Sequence, residues 1–180
     1  MNNPVIFFAT LLLLVTCPIG DGGASPGRME AFEEVCSRMD EYDCYVNHRH
    51  GYALAWPKQL LVSMGESDAG DGQVFAAPDG RAELRCWGSA NDAPQLTVSE
   101  ALAQALTEPG RQVTYQHMGR NFFVLSGYKD DRIFYRRTIL AHGMLAAFEL
   151  TYETSLKKLF DPIIRDISSG FIIDPAFRWR

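Results

Sequence analysis

The side chains best suited to chemistry in this chain form a few small groups. His48 and His50 stand two apart, so on a strand both imidazoles would face one side and begin a metal site that His117 or an acid would complete. No Glu-x-x-His pair or other ligand frame accompanies them, and a solvent-facing pair beside Arg49 is the preferred reading. Asp68, Asp71 and Asp79 lie among glycines, as calcium ligands do, yet their spacing fits no EF-hand loop and the closing bidentate Glu is missing. Turns favour Asp and Gly for backbone reasons alone. The sequence therefore predicts no metal and no cofactor.

Nucleophiles fare no better. Gly65-Glu66-Ser67-Asp68-Ala69-Gly70 approaches a Gly-x-Ser-x-Gly elbow but runs one residue too long before its second glycine. Ser126, in Leu125-Ser126-Gly127, lies inside a strand pattern without an elbow. Cys86 alternates with strand neighbours and reads as a core thiol, whereas a reactive thiolate needs an exposed electropositive niche. Acid pairs for glycoside cleavage are defined by separation in space, and none stands out here. No catalytic residue is assigned.

The last group is basic and aromatic. Arg132, Phe134, Arg136 and Thr138 share one face of a strand, and Ile133, Tyr135, Arg137 and Ile139 share the other. If the second face is core, Arg132, Phe134 and Arg136 form an outer strip of the residue types that anchor protein interfaces. The plainer alternative is a solvated sheet face with snorkelling arginines. Tyr115, Tyr128 and Trp87 would extend the strip only if their strands pair as neighbours.

These residues need elements to hold them. Met29, Phe32, Val35 and Met39, after the Ser25-Pro26 start, predict a short N-terminal helix ending near Asp40. Period-two stretches follow at Tyr45–Arg49 and Gly51–Trp56, stopped by Pro57, with a glycine- and acid-rich loop from Gly65 to Gly72. Pro78-Asp79-Gly80 marks a hairpin between Gln73–Ala77 and Arg81–Trp87. Thr97 with Glu100 makes a capping box for a helix from Val98 to Leu106, ended by Pro109-Gly110. Strands at Gln112–His117, Asn121–Tyr128, Arg132–Ala141 and Met144–Tyr152 are joined by short turns, which favours an antiparallel meander. A last helix carries Leu156, Leu159, Phe160, Ile163, Ile164 and Ile167, restarts at Asp161-Pro162, and stops at Gly170 before a terminal strand at Phe171–Ile173. The expected fold is α+β: a single antiparallel sheet of about six strands with flanking helices.

The start of the chain points to export. Val5 to Val15 is an almost unbroken apolar run, too short to span a bilayer, which takes roughly 20 residues. Pro18, Gly20, Gly22, Gly23 and Ala24 follow as a cleavage zone would. The expectation is a secretory signal peptide over 1–24 and a single α+β domain over 25–180, in the periplasm or secreted, with no transmembrane anchor after cleavage. The n-region departs from the pattern in carrying no Lys or Arg. Leu14-Val15-Thr16-Cys17 offers a minority reading, lipidation at Cys17. An oxidising compartment suits a disulfide between the neighbouring Cys36 and Cys44, worth about 2.5 kcal/mol on the loop-entropy model. The net charge of -5 excludes the basic footprint that nucleic-acid binding requires.

Four stretches carry a resemblance: Tyr45 to Tyr52 running into Trp56-Pro57; Gly65-Glu66-Ser67 through Gly72 to Phe75; Ser126-Gly127 followed by Ile133 to Arg137; and Leu150-Thr151-Tyr152 leading to Asp161-Pro162-Ile163-Ile164. Together they resemble an exported bacterial family of mostly unknown function whose fold is PsbP-like. Glu153 stands where that family often has proline after the tyrosine. The resemblance implies an antiparallel sheet with flanking helices and a non-catalytic protein that binds another macromolecule, such as an immunity or cell-envelope accessory protein. The expected partner is another protein or an envelope component. The rival expectation is a periplasmic hydrolase or a small-ligand-binding protein.

Overall fold

The computed structural model describes residues 40–92 and 95–177. The leader, Cys17, the expected N-terminal helix and Cys36 lie outside the described residues, and with Cys36 the expected bridge to Cys44. Ten strands are described: β1 (Tyr42–Asn47), β2 (Tyr52–Pro57), β3 (Val62–Glu66), β4 (Gly72–Ala76), β5 (Ala82–Ala90), β6 (Arg111–Met118), β7 (Phe122–Lys129), β8 (Arg132–Ala141), β9 (Met144–Glu153) and β10 (Phe171–Ile173). The helices among the described residues are α1 (Val98–Leu106) and α2 (Lys157–Ser169), the latter entered through a 3-10 turn at Thr154–Leu156.

The expected single sheet of about six strands is wrong. The strands form a three-stranded sheet, β1-β2-β10, and a seven-stranded sheet, β3-β4-β5-β9-β8-β7-β6. The reason lies in β2. Tyr52, Ala53, Leu54 and Ala55 are all buried, so β2 is covered on both faces. It pairs with β1 on one side and, across more than a hundred residues, with β10 on the other. The other surprise is β3, which pairs with β4 as an edge strand although every one of its residues is exposed.

The predicted hairpin β4–β5 and the meander β6–β7–β8–β9 form as expected. So does α1: Thr97 accepts from the Glu100 backbone while the Glu100 carboxylate accepts from the Thr97 N–H, closing the capping box. The predicted restart at Asp161-Pro162 does not occur. α2 runs continuously through Pro162, and Asp161 instead accepts a hydrogen bond from the Tyr152 hydroxyl at 2.7 Å.

Alternation along β5, β8 and β9 sends side chains to two opposed faces of the large sheet. The inner face, with Leu84, Cys86, Phe148, Leu150 and Tyr152, packs against the small sheet and α2 in one continuous core. Phe148 sits edge-on to Phe171 of β10 at 5.1 Å, which ties the two sheets together. The outer face carries a smaller cluster, Phe123, Leu125, Phe134 and Leu140 under Ala101 and Ala105 of α1. Among the described residues, the nine-residue α1 covers only part of this seven-stranded face.

Candidate functional site

The open part of the outer face is where charged side chains gather. Register places Arg85 opposite Glu149, and Glu149 opposite Arg136, in one row across β5, β9 and β8. Arg111, at the start of β6, reaches this row from two strands away. It passes over the ring of Phe134, with its guanidinium 5.1 Å from the centroid, and donates to Glu149 at 2.7 Å. Gly127 leaves the lane free, since it pairs with Val113 on one side and Phe134 on the other and has no side chain to stand between them.

The row is completed by a turn. α1 ends at Thr107, and Glu108-Pro109-Gly110 leads into β6, with Gly110 at φ 74°, a left-handed conformation that suits glycine. This places the Glu108 carboxylate between two guanidinium groups, 2.5 Å from Arg136 and 2.9 Å from Arg111. Arg136 is also held from below. Its Nε donates to Thr138 at 3.2 Å, and its guanidinium lies 5.0 Å over the ring of Trp87. The side chains of Arg111 and Glu149 are each 8% exposed, whereas Glu108 is 38% exposed.

These residues line a cleft of about 340 Å³, formed by Arg85, Trp87, Glu108, Arg111, Lys129, Arg136 and Glu149. Four cations line it with Glu108 and Glu149, and one of them, Arg85, is paired with Glu83 at 2.6 Å, in a chain whose net charge is -5. Arg85 and Trp87 also line a larger trough of about 570 Å³ over β3, β4 and β5. Its walls include Met64, Val74 and Ala76, and its open edge is β3, where Val62 is 52% and Met64 66% exposed. Apolar trough and cationic cleft are thus one continuous surface.

The predicted strip divides in this setting. Arg132, Phe134 and Arg136 do share the outer face, as the alternation requires. Phe134, however, is fully buried beneath α1, and Arg136 is nearly so, paired with Glu108. Arg132 stands apart at the strand end, donating to the Gly80 carbonyl at 2.9 Å. Trp87 joins Arg136, whereas Tyr115 and Tyr128 belong to the opposite face, in register with Ser126 and Ile133. The sequence reading missed Glu108, Arg111, Lys129 and Glu149. The pairs they form cross a turn and three strands, and only register brings them together.

The remaining candidates are scattered. His48 and His50 sit in the turn between β1 and β2, one exposed and the other buried against Asn47, whose side-chain oxygen accepts from the His50 backbone at 2.8 Å. Among the described residues, no group of three or more His, Cys, Asp or Glu is arranged to hold a metal ion. Ser67 donates to Asp71 within its own loop, and Asp79 is paired with Arg81 at 2.7 Å. Cys86 is a free, buried thiol that donates to the Gln73 carbonyl, and burial pushes its pKa up to about 12. A thiolate is therefore out of reach at neutral pH. No helix among the described residues is long and apolar enough to cross a membrane.

No family model and no curated protein matches the chain. A solved structure does: cyanobacterial PsbP (CyanoP) from Synechocystis sp. PCC 6803, with a TM-score of 0.56 at 14% identity, covering 87% of this chain and 99% of that one. At that identity the likeness defines the fold alone. The chain has a PsbP-like fold, as the sequence resemblance implied.

Proposed function

We propose that this chain is an exported, non-catalytic accessory protein that binds another macromolecule through the open half of the outer sheet face. One observation carries the reading: the trough has a mainly apolar lining at Met64, Val74, Ala76 and Trp87, with Glu66, Asp71, Glu83 and Arg85 as the charged groups around it. Buried interface centres are apolar and aromatic, with polar groups around them. The titrations that burial displaces upward, those of Tyr42, Tyr45, Tyr52, Cys86 and Tyr152, belong to side chains of the inner core.

Export and the Cys36–Cys44 bridge form part of the same proposal, supported by the apolar leader and the closeness of the two cysteines. The test is capture of a partner from the host's envelope extract by the purified protein, with mass-spectrometric identification. A stoichiometric partner is expected, lost with Met64→Glu, which sets a charge at the trough edge while leaving the core untouched. Capture that persists in Met64→Glu moves the interface elsewhere. A saturable small molecule on Trp87 with no protein partner makes the chain a small-ligand carrier instead.

A further inference from the structure

We propose that Arg111 and Arg136 form a receptor for a carboxylate of the bound partner, and that Glu108 fills it in the free protein as an internal stand-in. This rests on the reading of the outer face as the binding surface. The geometry of Glu108 is the first argument. Its two oxygens are shared out, Oε1 to Arg136 at 2.5 Å and Oε2 to Arg111 at 2.9 Å, so one carboxylate bridges two guanidinium groups. An Asp or Glu side chain from another protein meets the same donors in the same way.

The second argument is that the arginines do not depend on Glu108 for their placement. Arg111 is fixed by Glu149 at 2.7 Å and by the Phe134 ring, and Arg136 by Thr138 and the Trp87 ring. Glu108 is the exposed member of the set and sits on a turn between α1 and β6. It can swing away without disturbing a strand, and the cations it leaves behind remain pre-organised.

Charge and hydrogen bonding supply the third argument. Arg85 is paired with Glu83 at 2.6 Å, so Arg85, Arg111, Lys129 and Arg136 meet three carboxylates, Glu83, Glu108 and Glu149, and one positive charge is left over in an acidic protein. Arg111 Nη1 is buried with no acceptor, while Nη2 serves both Glu108 and Glu149. A buried donor without a partner is costly, and a partner's acceptor that reaches Nη1, besides the two donors that Glu108 holds, would recover that cost. Because Arg85 and Trp87 line both cleft and trough, an acidic residue flanked by apolar ones would fill both at once.

The test uses two peptides, acetyl-Leu-Glu-Glu-Leu-amide and its Gln-Gln counterpart, titrated into the full protein at fixed ionic strength. Emission from Trp87 is the readout, with Trp87→Phe as blank. The acidic peptide should bind saturably. Glu108→Gln, which removes the competing charge, should bind it about tenfold more tightly. Arg136→Gln should abolish binding, and the neutral peptide should bind none of the variants. Folding of each variant is checked by thermal melting. The proposal is overturned if Glu108→Gln, melting as a folded protein, binds no more tightly than the parent. It is also overturned if the two peptides bind alike, or if inorganic phosphate binds as well as the acidic peptide. A partner lost with Met64→Glu but indifferent to Glu108→Gln would leave the face reading standing and remove the carboxylate receptor. Acidic-peptide binding without any captured partner would do the reverse.

Discussion

On the inner face of the large sheet, Leu84, Phe148, Leu150 and Ile133 meet the small sheet and α2, and nearly all are out of water. The same strands, one residue out of phase, present Arg85, Glu149, Phe134 and Arg136 outward. There, apolar side chains are buried only as far as α1 reaches, and beyond it the face is laced with ions. The two faces therefore spend their residues differently. The inner one holds the molecule together through area removed from water, at roughly 25 cal/mol per Å². The outer one keeps a charged concavity whose members hold each other in place.

Substitutions should separate the two faces. The largest effect is expected at Phe148, which is fully buried between Tyr135 and Phe171. Phe148→Ala should cost about 3–5 kcal/mol in urea unfolding, because the two sheets lose the ring that joins them. On the outer face, Met64→Ala at an exposed edge should stay within about 0.5 kcal/mol. If the two variants lost similar stability, the division between a holding face and a displaying face would be gone.

The next effect tests whether the ion network is structural in its buried half. Glu149→Ala leaves the Arg111 guanidinium with only the exposed Glu108 for a partner, and should cost about 3 kcal/mol, as breaking a buried pair does. The double replacement Arg111→Met with Glu149→Leu should recover most of that loss, because no charge is then left stranded. A double variant no better than the single one would mean that the pair itself stabilises the sheet. Raised salt should barely affect this buried pair yet weaken acidic-peptide binding in the cleft.

Much of this arrangement was legible in the sequence, and the failures have physical causes. The meander and the β4–β5 hairpin follow from alternation broken by short turns, and α1 from its capping box. β3 escaped because Val62–Glu66 is exposed throughout and contains Gly65, so it shows neither a buried period nor a high β-propensity. The split into two sheets escaped because β2 pairs with β10, a contact that no local pattern encodes. The phase of Arg132, Phe134 and Arg136 was readable, but their environment was not. Alternation names two faces without saying that both would be covered at Phe134. The cleft residues Glu108, Arg111 and Glu149 span a turn and distant strands, and their meeting is a property of register.

A smaller effect is expected where the helix on the outer face begins. Thr97→Ala removes the acceptor for the Glu100 N–H and should cost about 1 kcal/mol. Because α1 covers Phe134 and ends at the turn that bears Glu108, the same change should loosen Glu108 and slightly favour the acidic peptide. Thermal melts and peptide titrations on the same samples check both parts.

The smallest effect belongs to pH, and it separates the faces again. His50 lies on the inner side, where its side chain lies close enough to Gly88 that a Cβ there would stand 2.7 Å from that of His50. Burial lowers its pKa below the usual 6.5, neighbouring Arg49 lowers it further, and Asp71 opposes both. The folded protein therefore holds His50 neutral where the unfolded chain would protonate it. Below pH 6.5 the unfolded state binds more protons, so this contribution is present in full above that pH and is lost as pH falls through the folded value. His50→Gln should flatten that part of the stability profile while leaving acidic-peptide affinity unchanged between pH 6 and 7. If the parent and the variant instead lose stability in parallel over this range, His50 is not the inner face's titrating group, and pH no longer distinguishes one face from the other.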